Sequence, residues 1–359
     1  MKNTYTTFSV VGATALVGVG VLAGCASGPA PTDTSSAGGE AISVALLLPE
    51  TKTARYETFD RPIFTEKLES LGNYNVIYSN ADQDSAAQQE QAESALTQGA
   101  SVIVLDPVDA DAAASIVASA EAEGVPVVSY DRLINSGDID YYVSFDNEAV
   151  GVLQGEALVG ALDEQGASGG ILMINGSPTD PNAAGFKSGA HSVIDDSGYE
   201  VLAEFDTPDW SPDEAQNWMS QQITQFDGEF VGVYAANDGT AGGAIAAMKA
   251  ANVDPFPLVT GQDAELAGIQ RIVAGDQFMT VYKSIRQEAE LAATVTDQLA
   301  RGEEPTADSD TDGIPTTLLA PVAVTIDNIM DTVVADDFWT VADICTADFA
   351  EACAAAGIE

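Results

Sequence analysis

The sequence predicts an α/β fold made of two Rossmann-like lobes, each with a parallel sheet, joined by a hinge that the backbone crosses three times. Apolar runs rich in β-branched residues, such as ISVALLLPE, SVIVLDP and VPVVSYDR, alternate with stretches of 12 to 16 residues whose apolar positions recur at helical spacing. Such alternation indicates parallel strands with right-handed crossovers. The series is written twice, and the roughly 320 residues it occupies are too many for one ordinary core.

In the first half, the buried strand from Ile42 to Glu50 leads to a helix in which Ile63, Phe64, Leu68 and Leu71 share a face and Gly72 ends the run. Next come the strand YNVIYSNAD, a helix ending at Gly99, the strand SVIVLDP, a helix from Asp109 to Gly124 and the strand VPVVSYDR. After the turn-rich INSGD, the short strand YYVSF (Tyr141 to Phe145) takes the chain out of its first lobe. The second half repeats the plan. Helix NEAVGVLQGEALVGALDEQG precedes strand GGILMING, a helix from about Ala183 to Gly198, strand YEVLAEFD, a helix over Glu214 to Phe226, strand FVGVYAAND, helix GTAGGAIAAMKAAN and strand PLVTGQDA. FMTVYK crosses back, SIRQEAELAATVTDQLARG is a helix and TLLAPVAVTIDNI a last pair of strands. The expected lobes are therefore 41–146 with 284–317, and 147–283 with 318–342, followed by an extension over 343–359.

Residues 1–24 are expected to be a signal peptide rather than part of the fold. Lys2 gives a short positive start, an apolar segment runs from about Phe8 to Ala23, and Leu22-Ala23-Gly24-Cys25 closes it with small residues before a cysteine. This resembles a bacterial lipoprotein signal, which implies cleavage before Cys25, lipidation of its thiol and anchoring to the outer face of the cell membrane. The alternatives are an uncleaved span or a plain secretory signal; the apolar run is short for a span of about 20 residues. Residues 25–40 hold only small, polar or proline side chains and read as a flexible tether.

A formal charge of −44, from 56 acids against 12 Lys and Arg, excludes nucleic acid and anionic membrane surfaces as partners. The acids read as a solvated surface over a core supplied by 46% hydrophobic residues. With so few cations, each Arg or Lys near a strand end is a candidate functional residue. Asp131 and Arg132 stop a strand buried on both faces, and ligands of open parallel sheets bind beyond the carboxyl ends of strands. Asp263 ends PLVTGQDA at the equivalent edge of the second lobe, so two carboxylates are expected to face a common cleft.

YDRLINSGDIDYYVSFDNE, NGSPTDPNA, ANDGTAGGAIAAMKA, GQDAELAGIQRIVAGDQFMTVYK and DNIMDTVV together resemble the D-xylose-binding and multiple-sugar-binding proteins of ABC sugar importers, over Ile42 to Trp339. The resemblance implies a type I periplasmic-binding-protein fold that closes on a monosaccharide, without a cofactor or metal and without enzymatic activity. It also implies an ABC permease as partner and a monomeric state. Carried over by motif, the ligand-binding residues are Arg55, Tyr56 (where the family often has Trp), Asp131, Arg132, Asn182, Trp210, Asn237, Asp263 and Lys283. Pro181 stands where a second Asn is common.

The chemistry of these residue types suits a sugar. A pyranose offers a ring of hydroxyls and two C–H faces; carboxylates accept, Arg and Lys donate, amides do both, and an aromatic ring such as Trp210 or Tyr56 covers a C–H face. Alternatively, Asp131 and Arg132 form a structural ion pair with each other. A sensory protein presenting sugar to a chemosensory or kinase receptor is the other functional reading. An enzyme would call for a His, Cys or Ser constellation, and His191, the one histidine, lacks such company. Asp308-Ser-Asp310-Thr-Asp312-Gly313 starts like an EF-hand loop but has Leu319 at the twelfth position and Pro315 inside, so a solvated acidic turn is expected. GTAGGA lacks the Lys of a phosphate loop, and its glycines are read as permitting close helix packing. Cys345 and Cys353 would lie about 12 Å apart in a continuous helix, so the disulfide expected between them requires a turn.

Overall fold

The computed structural model describes residues 41–227 and 229–358; Cys25 and the signal and tether readings lie outside them. The first sheet starts with β1 (Ile42–Leu48), followed by α1 (Arg61–Leu71), β2 (Tyr74–Asn80), α2 (Ser85–Thr97), β3 (Ile103–Leu105), α3 (Ala114–Glu123), β4 (Val127–Tyr130) and β5 (Tyr141–Phe145), with β1 to β5 paired in parallel. β1 shows why these strands read as unbroken apolar runs. Val44, Leu46 and Leu48 join a core with Phe64, Leu68 and Ala292, while Ala45 and Leu47 join another with Ala95, Ile116 and Val117, so both faces are covered by helices.

α4 (Asn147–Gln165) opens the second group, followed by β6 (Gly170–Asn175), α5 (Pro181–Ser197), β7 (Val201–Asp206), α6 (Pro212–Phe226), β8 (Phe230–Ala235), α7 (Asp238–Ala251), β9 (Leu258–Val259), α8 (Leu266–Ala274) and β10 (Met279–Tyr282). β6 to β9 form a parallel sheet in the order β7-β6-β8-β9. Close approach of its helices depends on glycine. A Cβ at Gly151 would stand 2.0 Å from the Phe186 carbonyl oxygen, and one at Gly243 would stand 2.2 Å from that of Pro212. Of the glycines of GTAGGA, Gly243 thus serves close helix packing.

α9 (Ile285–Ala300) returns to the first sheet, where β11 (Ser309–Thr311) and β12 (Ile314–Leu319) complete the order β11-β12-β5-β4-β3-β1-β2. β13 (Val322–Thr325) then pairs antiparallel with β10. The two strands of TLLAPVAVTIDNI therefore enter different sheets, because β12 is the parallel neighbour of β5. Backbone passes between the two groups of strands after β5, after β10 and after β12. The acidic turn Asp308–Gly313 is the β11–β12 hairpin, in which the Asp310 carboxylate accepts the Gly313 N–H at 2.8 Å.

Element ends differ from expectation where capping decides them. The helix expected from Asp109 begins at Ala114, because the Asp109 carboxylate turns back to accept the N–H groups of Asp111 and Ala112. The helices expected from Ala183 and Glu214 start two residues earlier, each with proline in its first turn behind an N-cap, Asp180 or Ser211. At the C-terminus, α10 (Val341–Ile344) and α11 (Ala350–Ala356) pack on α8, and a disulfide joins Cys345 to Cys353 across the turn between them, with Cα atoms 5.9 Å apart. Among the described residues no helix is long and apolar enough to cross a membrane.

Candidate functional site

The carboxyl ends of β1, β4, β6, β7, β8, β9 and β10 and the loops after them surround a cavity. All nine residues singled out from the sequence line it: Arg55, Tyr56, Asp131, Arg132, Asn182, Trp210, Asn237, Asp263 and Lys283. Thr53, Asp180, Phe186 and Gln262 complete the wall.

Arg55 follows β1 in the turn before α1, and its guanidinium holds three acids: Asp60 at 2.7 Å, Asp131 at 3.0 Å and Glu288 at 2.7 Å. Asp60 comes from the same turn, Asp131 from the end of β4 and Glu288 from α9. Burial alone would raise the Asp131 carboxyl, yet the positive charges of Arg55, Lys283 and Arg132 outweigh it and hold that acid below the usual carboxylate range. Glu288 goes the other way; burial, reinforced by Asp131, pushes its carboxyl well above the ordinary value.

Asp131 and Arg132 are adjacent in sequence but are not partners. Arg132 points away, with Nε 2.9 Å from Asp180 Oδ2 and 3.5 Å from Asp106 Oδ1, while Nη1 and Nη2 donate to the Pro107 carbonyl and the Tyr56 hydroxyl. The expected alternative of a mutual ion pair is thereby replaced by two networks. Asp131 has φ of 59°, in the left-handed region, which turns its side chain away from that of its neighbour.

From the other side, Asp180 caps α5 by accepting the Asn182 N–H and also accepts the Trp210 indole N–H at 2.9 Å. The Asn182 amide donates to the Asp131 carbonyl and carboxylate at 3.2 and 3.3 Å, and its own oxygen accepts from Asn147. Trp210 is 5% exposed and meets the ring of Phe186 edge-on at 6.3 Å. A Cβ on Gly176 would lie 2.0 Å from the indole, so only glycine leaves Trp210 its seat. Asn237, on the cavity wall, caps α7 with its oxygen, which accepts from Thr240. Asp263 meets Lys283 at 3.1 Å, and the Lys283 ammonium also lies 5.7 Å from the centroid of Phe186.

The wall thus carries three cations, Arg55, Arg132 and Lys283, and three acids, Asp131, Asp180 and Asp263. Among the described residues, Gln262 Oε1 on it has no hydrogen-bond partner, while Arg132 Nε and Asp263 Oδ1 have their ion-pair contacts with Asp180 and Lys283. A charge-balanced cavity lined by both donors and acceptors suits an uncharged molecule dense in hydroxyls better than an ion. His191 stands apart on α5, between Asp195 and Glu204 on the surface.

Sequence reasoning missed Asp180, Asp106, Gln262, Thr53, Phe186, Asp60 and Glu288. Asp106 ends an apolar strand in the same way as Asp131, and Gln262 adjoins Asp263, so both carried a readable signal. Glu288 carried none, because it sits in a helix more than 150 residues from its partners.

A periplasmic binding protein domain model matches residues 44–304. The chain is 37% identical to the D-xylose-binding periplasmic protein of Escherichia coli (strain K12), over 83% of this chain and 91% of that one. It is 31% identical to the multiple sugar-binding periplasmic receptor ChvE of Rhizobium radiobacter, over 79% and 86% of the two chains. Among solved structures, an ABC transporter solute binding protein from Clostridium phytofermentans with bound β-D-glucose superposes with a TM-score of 0.77 at 29% identity, covering 84% of this chain and 99% of that one.

Proposed function

Because the chain belongs to the periplasmic binding protein domain family and has its type I fold, we propose that it captures a monosaccharide, a xylose-like aldopyranose, and delivers it to an ABC importer. The relatives are solute-binding proteins and not enzymes. The charge-balanced, aromatic-walled cavity carries this reading. Asp131, Asp263 and the Asn237 and Asn182 amides address hydroxyls, Arg55, Arg132 and Lys283 donate, and Trp210 with Phe186 and Tyr56 covers C–H faces.

The protein acts outside the cytoplasm, and the lipobox-like segment ending at Cys25 supports a lipid anchor on the outer face of the membrane. It works as a monomer whose partner is the permease. Ligand closes the lobes because groups from both sides contact it together only in the closed state.

Calorimetric titration with D-xylose, D-glucose, D-galactose, L-arabinose and D-glucuronate tests the proposal. Binding of at least one neutral sugar with rejection of the uronate is expected, and failure of every neutral sugar overturns it. Asp263→Ala is expected to weaken the best sugar roughly 10- to 150-fold, for the loss of about 1.5 to 3 kcal/mol in charge-assisted bonding.

A further inference from the structure

Asp263 and Ala264 both adopt positive φ, 92° and 49°, although neither is glycine. Backbone of this kind is strained and persists only where its surroundings over-determine it. Three bonds do so here. The Asp263 N–H donates to the Val281 carbonyl at 2.9 Å and the Ala264 N–H to the Thr280 hydroxyl at 3.2 Å, both on β10. The third comes from far along the chain: the Trp339 indole N–H donates to the Ala264 carbonyl at 2.8 Å.

Trp339 follows the last strand and lies beyond the residues 44–304 that match the family model. It is held by rings from both groups of strands. Phe59, in the turn between β1 and α1, stacks on Phe338 with centroids 4.0 Å apart and meets Trp339 edge-on at 5.0 Å, while Tyr282 of β10 meets Phe338 at 5.1 Å. Phe59 itself sits between Tyr56, on the cavity wall, and Asp60, a partner of Arg55.

We propose that Trp339 is a positioning residue of the binding site: its indole N–H fixes the left-handed turn that aims Asp263 into the cavity, and its contact with Phe59 ties that turn to the first sheet. The proposal rests on reading the cavity as the sugar site. Asp263 is the group it acts through, since the strained turn would otherwise relax toward negative φ and carry the carboxylate away from Lys283 and the ligand.

The test is a double-mutant cycle on the purified protein with D-xylose, using Trp339→Phe, which keeps an aromatic ring beside Phe59 and removes the indole N–H together with part of the ring's volume. Trp339→Phe is expected to weaken binding about 5- to 10-fold in the wild-type background and less than twofold in the Asp263→Ala background, because coupled groups are not additive. Equal weakening in both backgrounds, or wild-type affinity in Trp339→Phe, overturns the proposal. Amide exchange supplies a readout that needs no sugar. Exchange at Asp263 and Ala264 is expected to quicken in Trp339→Phe, and unchanged exchange also overturns it. A wild-type protein that binds no neutral sugar while showing faster exchange in the variant would instead refute the sugar reading and keep the positioning role.

Discussion

Arg132 Nε and Asp180 Oδ2 face each other 2.9 Å apart, one at the end of β4 in the first sheet and the other capping α5 beside the second. This ion pair spans the cleft directly. The same Asp180 oxygen accepts the Trp210 indole N–H, so one carboxylate both ties the lobes and seats an aromatic wall.

Asp180→Ala should therefore weaken sugar binding more than Asn182→Ala, by roughly 100-fold against 10-fold, since it removes a charge-assisted pair and a second bond at once. It should also shift the sugar-free protein toward the open form. Titration calorimetry and small-angle scattering check the two effects, and an unchanged radius of gyration would speak against a closing role for the pair.

Trp210 depends on the absence of a side chain at Gly176. Gly176→Ala should displace the indole and weaken binding to about the extent of Trp210→Ala, while His191→Ala, outside the cavity, should leave affinity within about twofold. Wild-type affinity in both Gly176→Ala and Trp210→Ala would mean that the indole does not touch the ligand.

Among the described residues, Arg55 is the sole cation within ion-pair distance of Asp60, Asp131 and Glu288. Arg55→Met should cost about 3 to 5 kcal/mol of stability, because removing one partner of a buried pair strands the others. Arg55→Lys should recover only part of it, since an ammonium cannot match the three-way fork of a guanidinium. Urea unfolding of the three proteins decides the order.

Glu265 stands at the start of α8, where its carboxylate accepts the Ala54 N–H at 3.3 Å. Burial, with the negative charges of Asp238 and Asp263, pushes its pKa up to about 8. The folded protein then keeps a proton that the unfolded chain has already released, so this group's contribution is fully present below pH ~4.5 and is lost as pH rises through about 8. Glu265→Gln should raise the melting temperature at pH 8.5 and change it little at pH 4.5. Parallel melting curves for the two proteins across that range would contradict the assignment.

The Cys345–Cys353 disulfide pins α10 and α11 against α8, with Cys353 buried in a core that includes Ile269, Phe338 and Ile344. Replacing both cysteines by serine should lower stability by about 2 to 4 kcal/mol. Thiol titration of the unfolded, unreduced protein should find neither cysteine free.

Local pattern decided much of this molecule. The apolar runs of β1, β3 and β4 and the helical spacing between them follow from nearest-neighbour preferences, so the order of elements was legible from the sequence. So was the placement of Asp131, Arg132 and Asp263, because charge at the end of a buried strand has nowhere to go but outward into the crevice. Which charge pairs with which was not legible. Asp131 and Arg132 are neighbours that a reader of the sequence would couple, yet the left-handed turn at Asp131 separates them and gives one to Arg55 and the other to Asp180. Glu288, Phe186 and Trp339 reach the site or its supports only because α9, α5 and the C-terminal segment pack where they do. A buried charge or strained turn takes its stability from groups close in space, and closeness between residues 50 to 230 positions apart is fixed by how sheets and helices stack, which no local pattern encodes.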